Sequence, residues 1–141
     1  MRIITPKIEN YFASVFARVS EAVDVPFVKV SGEWQPKQSC CHANADYWAT
    51  LHPNVRTVRG WFLNGPNEMG GCLFIAHSVL DKDGNLFDIT PPAPNPPMKF
   101  LRHKGSKEAF DAIQPEFSSA DYPFILEMDN QPVEDEEIED Y

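Results

Sequence analysis

Two β-forming runs, CLFIAHSVL (72–80) and NLFDIT (85–90), flank Asp81-Lys82-Asp83-Gly84. Asp-Gly between such runs is the strongest short-range hairpin signal, because both turn residues must accept positive φ. With Asp83-Gly84 as the turn, Lys82 faces Asn85 and paired residue numbers sum to 167. His77 then sits opposite Thr90, with Asp88 one diagonal step away on the same face. Such diagonal neighbours lie roughly 5.5–8 Å apart along the backbone, within reach of an imidazole–carboxylate hydrogen bond. A four-residue loop keeps this parity and a three-residue loop breaks it. The stretch therefore predicts a His77–Asp88 pair in which the carboxylate sets the tautomer and orientation of the ring.

The remaining chain supplies helices first and strands later. Apolar residues at Ile8, Tyr11, Phe12, Val15, Val19 and Ala22 give the spacing of an amphipathic helix over 6–23, with Thr5 as N-cap and Pro6 in the first turn. Pro26 closes it, and 26–34 reads as a short extended piece. Ser39 is the expected N-cap of a second helix that runs through CHANADYWATLH to Pro53. VRTVRGWFL (55–63) reads as a strand, GPNEMGG (65–71) as a glycine-rich loop, and NEMGG (67–71) as a flap ahead of the next strand. PPAPNPPM (91–98) holds five prolines in eight residues and must be a stiff irregular connector. MKFLRH resumes a strand and SKEAFDAIQ forms a short helix. No internal repeat is present. Helices followed by a meander of strands predict an α+β fold, N-terminal helices packed on a small antiparallel sheet. One domain is expected over 1–128, with an acidic, disordered tail over 129–141.

The formal charge of −9 is concentrated at one end. From Glu127 onward there are eight acidic residues and no Lys or Arg, which leaves thirteen acids against twelve bases in the rest. The tail reads as a solvated segment, and a near-neutral body carries no electrostatic footprint for nucleic acid. No apolar run is long enough to cross a bilayer and no secretory leader is evident, so a cytoplasmic, reducing setting is expected. Three cysteines are an odd number and too few for a disulfide scaffold, and free thiols are expected.

That leaves the adjacent Cys40 and Cys41 at a helix start to be explained. A thiol in the first turn feels the positive end of the helix dipole and unpaired N–H groups, which favour thiolate. A nearby histidine lowers its pKa further. Cys41, His77 and Asp88 thus supply a nucleophile, a general base/acid and an orienting group. The bland alternatives are a packed cysteine, a strand histidine and a turn aspartate. Zinc is a further alternative through Cys40, Cys41, His42, Cys72 and His77, but structural sites favour Cys-x₂₋₄-Cys and His-x₃₋₅-His spacing. Cys72-x₄-His77 is the one reasonable half-site. No metal and no cofactor are predicted.

Cys41-His42-Ala43-Asn44-Ala45 at a helix start, followed by AHSV…FDITP, resembles the papain-like superfamily of cysteine hydrolases, and within it the transglutaminase-like and protein-glutaminase (deamidase) branch. The resemblance spans roughly residues 35 to 91. It implies Cys41 as nucleophile, with Cys40 as the other choice, His77 as base and Asp88 as orienter. It also implies Gln35, six residues before Cys41, as an oxyanion donor, with Gln38 as a rival. The sequence around the nucleophile lacks the Cys-Gly-Ser-Cys-Trp signature of the peptidases. The implied activity is hydrolysis of a peptide or small amide-containing substrate, as amidase, deamidase or peptidase, through a covalent thioester. Trp34, His42 and Trp61 are candidates to line the substrate cleft, and His52 and His103 read as surface residues. Two other function classes fit the sequence. One is a catalytically silent binding or structural domain of phage or mobile-element type, and the other is a small zinc-binding module.

Overall fold

The computed structural model describes residues 6–65, 72–113 and 125–128. Thr5, the NEMGG segment and the tail over 129–141 lie outside the described residues. The elements are α1 (Pro6–Phe16), α2 (Cys41–Leu51), β1 (Val55–Asn64), β2 (Cys72–Lys82), β3 (Asn85–Phe87), β4 (Lys99–Arg102), α3 (Lys107–Ile113) and β5 (Ile125–Met128). The fold is α+β, with a sheet in the order β3-β2-β1-β4 and β5 paired to β2. Every one of these strand pairs is antiparallel. The proline-rich connector carries the chain from β3 at one edge to β4 at the other. Among the described residues no helix is long and apolar enough to cross a membrane.

The helix expected over 6–23 is shorter than its periodicity. It ends at Phe16 and resumes only as a 3₁₀ turn at Val19–Glu21. Val23 is needed elsewhere: its N–H donates to the Phe100 carbonyl and its carbonyl accepts from the Phe100 N–H. A continuous helix would hold Val23 away from that bridge. The last strand, β5, has no counterpart in the sequence reading.

The hairpin has the expected register, Lys82 opposite Asn85 and Leu80 opposite Phe87. Asp83 (φ 55°) and Gly84 (φ 85°) are both left-handed, as a type I′ turn requires. The buried Asp81 carboxylate accepts from the Gly84 N–H at 2.8 Å and tightens the turn. The ladder stops at Phe87, however, so the expected His77–Thr90 pairing does not form. Asp88 turns its backbone to the 26–28 segment, donating to the Pro26 carbonyl and accepting from the Val28 N–H. This departure buries Ile89 with Val30, Ala45 and Leu80 beneath α2.

Alternation along β2 gives the sheet two apolar faces. Cys72, Phe74 and Ala76 point toward the helices and join Phe12, Val15, Trp61, Leu63, Phe110 and Ile113. Ile75 and Val79 point the other way, where Phe62 and Phe100 are covered by Val25 and Met98 from the irregular segments. His77 has the parity of this second face and stacks on Phe62, with ring centroids 4.2 Å apart.

Opposite His77 on β1 stands Gly60. A Cβ there would strike the Leu101 carbonyl and lie 2.6 Å from Phe100 Cζ and 2.9 Å from Arg102 Cα. Two of those obstacles are backbone, so the strand cannot give way cheaply. We predict that Gly60→Ala lowers unfolding free energy by about 1–3 kcal/mol, read from the denaturant midpoint. An unchanged midpoint would show that β4 and Phe100 are not packed this closely.

Candidate active site

Ser39 has a φ of 65°, a left-handed conformation uncommon outside glycine. It is therefore not the expected N-cap. Cys40 takes that position without a side-chain capping bond, and Cys41 becomes the first helical residue. Asn44 does the anchoring instead. Its Oδ1 accepts from the Lys37 N–H at 3.1 Å, and its Nδ2 donates to the Lys37 carbonyl at 2.8 Å and to Thr90 Oγ1 at 3.0 Å. One buried amide thus ties the loop before Cys41 to the segment after Asp88. The N–H groups of Cys41, His42 and Ala43 belong to the first turn, which has no intrahelical acceptors for them.

The sheet leaves a place for this helix end. On the edge away from β1, β2 pairs with β5 at Cys72–Ile75 and with β3 at Leu80–Lys82. Between them, Ala76–Val79 have a strand partner on the β1 side alone among the described residues. The first turn of α2 meets β2 at this interruption: His42 Nδ1 lies 2.6 Å from Ser78 Oγ, and Cys41 lies against His77. His77 and Ser78 point to opposite faces, so consecutive helix residues straddle the strand.

His77 Nε2 lies 3.0 Å from Asp88 Oδ1, which assigns the proton there to nitrogen. Asp88 is 2% exposed, and its Oδ1 also accepts from the Thr90 N–H at 3.2 Å. Burial would depress the His77 pKa, but the bond to Asp88 and the contact with Cys41 outweigh it and raise the value to about 9. Burial likewise disfavours ionised Cys41. The adjoining His42 and His77 rings reverse this and draw the thiol down to about 5. Between those values the pair is thiolate and imidazolium. Cys72, buried and without such partners, is pushed up to about 11. Of the two adjacent cysteines, Cys41 is the one brought to His77, while Cys40 is half-buried at the cap.

Several expected site residues lie elsewhere. Both N–H bonds of the exposed Gln35 amide are committed, to the carbonyls of Val30 and Gly32 at 3.0 Å each, so it offers no donor to an oxyanion at Cys41. Trp61 is fully buried against Phe12 and Phe110 and donates to Tyr11 Oη. It is a core residue rather than a cleft wall, since its position on β1 has helix-face parity. Trp34 packs on Tyr47 and Trp48 along the outer side of α2. His103 is half-buried and pairs with Tyr11 Oη at 2.7 Å, and His52 stacks on Trp48. Cys72 and His77 lie on opposite faces of β2 and cannot share one metal ion.

Sequence reasoning passed over Arg59 and Ser78. The Arg59 guanidinium is held by Asp46 of α2 at 2.8 and 3.0 Å, by Asp111 of α3 at 3.1 Å and by Ser78 Oγ at 2.9 Å. Its signal was available, because Arg59 shares the parity of Trp61 and Leu63 and so must enter the helix-facing layer. A cleft of about 730 Å³ is lined by Leu63, Ile75, Pro96, Pro97 and Met98 among others. Ile75 stands two residues from His77 on the same face.

No family model, curated protein or solved structure matches the chain.

Two consequences are measurable by peptide-resolved alkylation with iodoacetamide. The Cys41 rate should rise through a midpoint near 5, because a depressed thiol pKa means that thiolate is lost only as pH falls through that value. Cys72 should stay nearly inert. In His77→Ala the Cys41 midpoint should move up toward that of a free thiol, about 8.5. Equal midpoints in both proteins would remove His77 from the site.

Proposed function

We propose that the protein is a cysteine hydrolase of amide and related acyl groups, with Cys41 as nucleophile, His77 as general acid and base, and Asp88 as the orienting carboxylate. The observation that supports this best is the bond from His77 Nε2 to Asp88 Oδ1, because it fixes the tautomer and orientation of the ring beside Cys41. The Cys41 thiolate adds to the carbonyl carbon, a C–S bond forms, and the carbonyl π pair moves onto oxygen. Collapse expels the amine, which takes its proton from the His77 imidazolium. His77, now neutral, draws a proton from water as it attacks the thioester. The released acid leaves Cys41 as thiolate and His77 as imidazolium again.

This reading accords with the papain-like and transglutaminase-like resemblance, and it makes amidase, deamidase and peptidase the specific forms. The substrate is a peptide or small amide, and the cleft beside Ile75 is the place for its side chain. A nucleophilic thiolate needs a reducing setting, which the cytoplasm supplies. An imidazole held by a buried carboxylate beside a helix-initial cysteine is more apparatus than a silent scaffold needs.

A peptide pool read by mass spectrometry tests the proposal. Hydrolysed or deamidated products should appear with wild type and fall by roughly 10³-fold or more in Cys41→Ser and His77→Ala. Asp88→Ala should lose roughly 10²–10⁴-fold with the fold intact. Turnover should be bell-shaped. It fails as pH drops through about 5, where the thiolate is lost, and as pH rises through about 9, where the imidazolium is lost. Wild type that gives neither product nor a Cys41 acyl adduct would leave the silent-domain reading in possession.

A further inference from the structure

The acyl chemistry just described needs a donor for the oxyanion, and Gln35 does not supply one. His42 is 6% exposed, its ring is held edge-on by Phe110 at 5.8 Å, and its Nε2 is buried with no hydrogen-bond partner. An unpartnered polar atom at that depth is costly unless a ligand or reacting group meets it. The chain of bonds behind the ring decides what the atom offers. Arg59 is always protonated and donates to Ser78 Oγ at 2.9 Å. The Ser78 hydroxyl proton is thereby turned away from the guanidinium, toward His42 Nδ1 at 2.6 Å. Nδ1 accepts, which places the ring's N–H on Nε2. The opposite tautomer would leave the serine proton facing a cation and a bare lone pair in the core.

We propose that His42 is the oxyanion donor of this site, its Nε2–H acting with the Cys41 backbone N–H on the oxygen that becomes negative when the thiolate adds to the carbonyl. The proposal rests on the cysteine-hydrolase reading and deepens it. Residue 42 follows the nucleophile directly, so both donors are carried by the first turn of α2, and the ring lies against the Cys41 sulfur. Ser78 and Arg59 become positioning residues, since they fix the tautomer without touching substrate. Asp46 and Asp111 hold Arg59 in turn. The arrangement replaces a glutamine side chain with an imidazole whose tautomer is fixed by its neighbours.

Two rates on the same protein separate this role from others. Iodoacetamide alkylates Cys41 by displacement with no oxyanion, whereas p-nitrophenyl acetate acylates it through one. Its nitrophenolate leaving group also needs no proton from His77. Both are measured well above the thiolate titration in wild type, His42→Phe and His42→Gln, with circular dichroism confirming the fold. In His42→Phe the acylation rate should fall roughly 10²–10³-fold relative to the alkylation rate, and His42→Gln, which retains an N–H donor, should recover part of that. Ser78→Ala should lower acylation to an intermediate level, because the tautomer is no longer imposed. Acylation unchanged in His42→Phe would overturn the inference and leave the hydrolase reading standing. A parallel fall of both rates would make His42 a thiolate-stabilising residue and also overturn it. Wild-type Cys41 that is neither acylated nor rapidly alkylated would sink the hydrolase reading itself.

Discussion

Strand β2 is paired along its whole length on one side, while on the other, among the described residues, β5 and β3 take only its two ends. The first turn of α2 meets the four residues left between them, and the proposed chemistry is concentrated at this contact. Cys41 reaches His77 on one face of β2 while His42 reaches Ser78 on the other. A fully paired edge would have closed this position to the helix. A helix docked further along would have offered its side rather than the unsatisfied N–H groups of its first turn. The interruption depends on β3 ending at Phe87, which in turn frees Asp88 to bond with the 26–28 segment and to meet His77.

Arg59 connects this contact to the rest of the molecule. One buried guanidinium joins α2 through Asp46, α3 through Asp111 and β2 through Ser78. Both carboxylates are about two-fifths exposed, so the ion pairs themselves contribute modestly to stability. Their larger effect is geometric, since a bidentate carboxylate holds the planar guanidinium in one orientation. That orientation reaches His42 by way of the serine hydroxyl. Asn44 does the equivalent for the backbone, binding Lys37 on one side and Thr90 on the other.

Much of this was legible in the residues alone, for identifiable reasons. Asp83-Gly84 admits few turn geometries, and a period of two then puts His77 and Asp88 on one face whatever the rest of the sheet does. The helix beginning at Cys41 followed from its composition to within a residue. The local route of Asp88 was not legible, because its backbone partners lie some sixty residues earlier in an irregular segment with no periodicity to read. The cap was misassigned because Ser39 has the right chemistry for it, while tertiary bonds from Asn44 made a capping hydroxyl unnecessary. Gln35 was placed at the site by analogy of spacing, but its amide clamps its own turn. Trp61 was treated as a cleft candidate although its parity with Leu63 assigned it to the helix-facing core, and the same parity argument would have found Arg59.

The central claim is that this docking makes Cys41 a thiolate opposite a protonated His77 at neutral pH. The most direct test is the ultraviolet absorbance of thiolate, followed against pH in wild type and subtracted from Cys41→Ser. The account predicts a single step with a midpoint near 5, complete well below neutrality. A difference spectrum that rises only near the free-thiol value of about 8.5 would contradict it. Cys41 would then be a packed thiol beside a packed histidine.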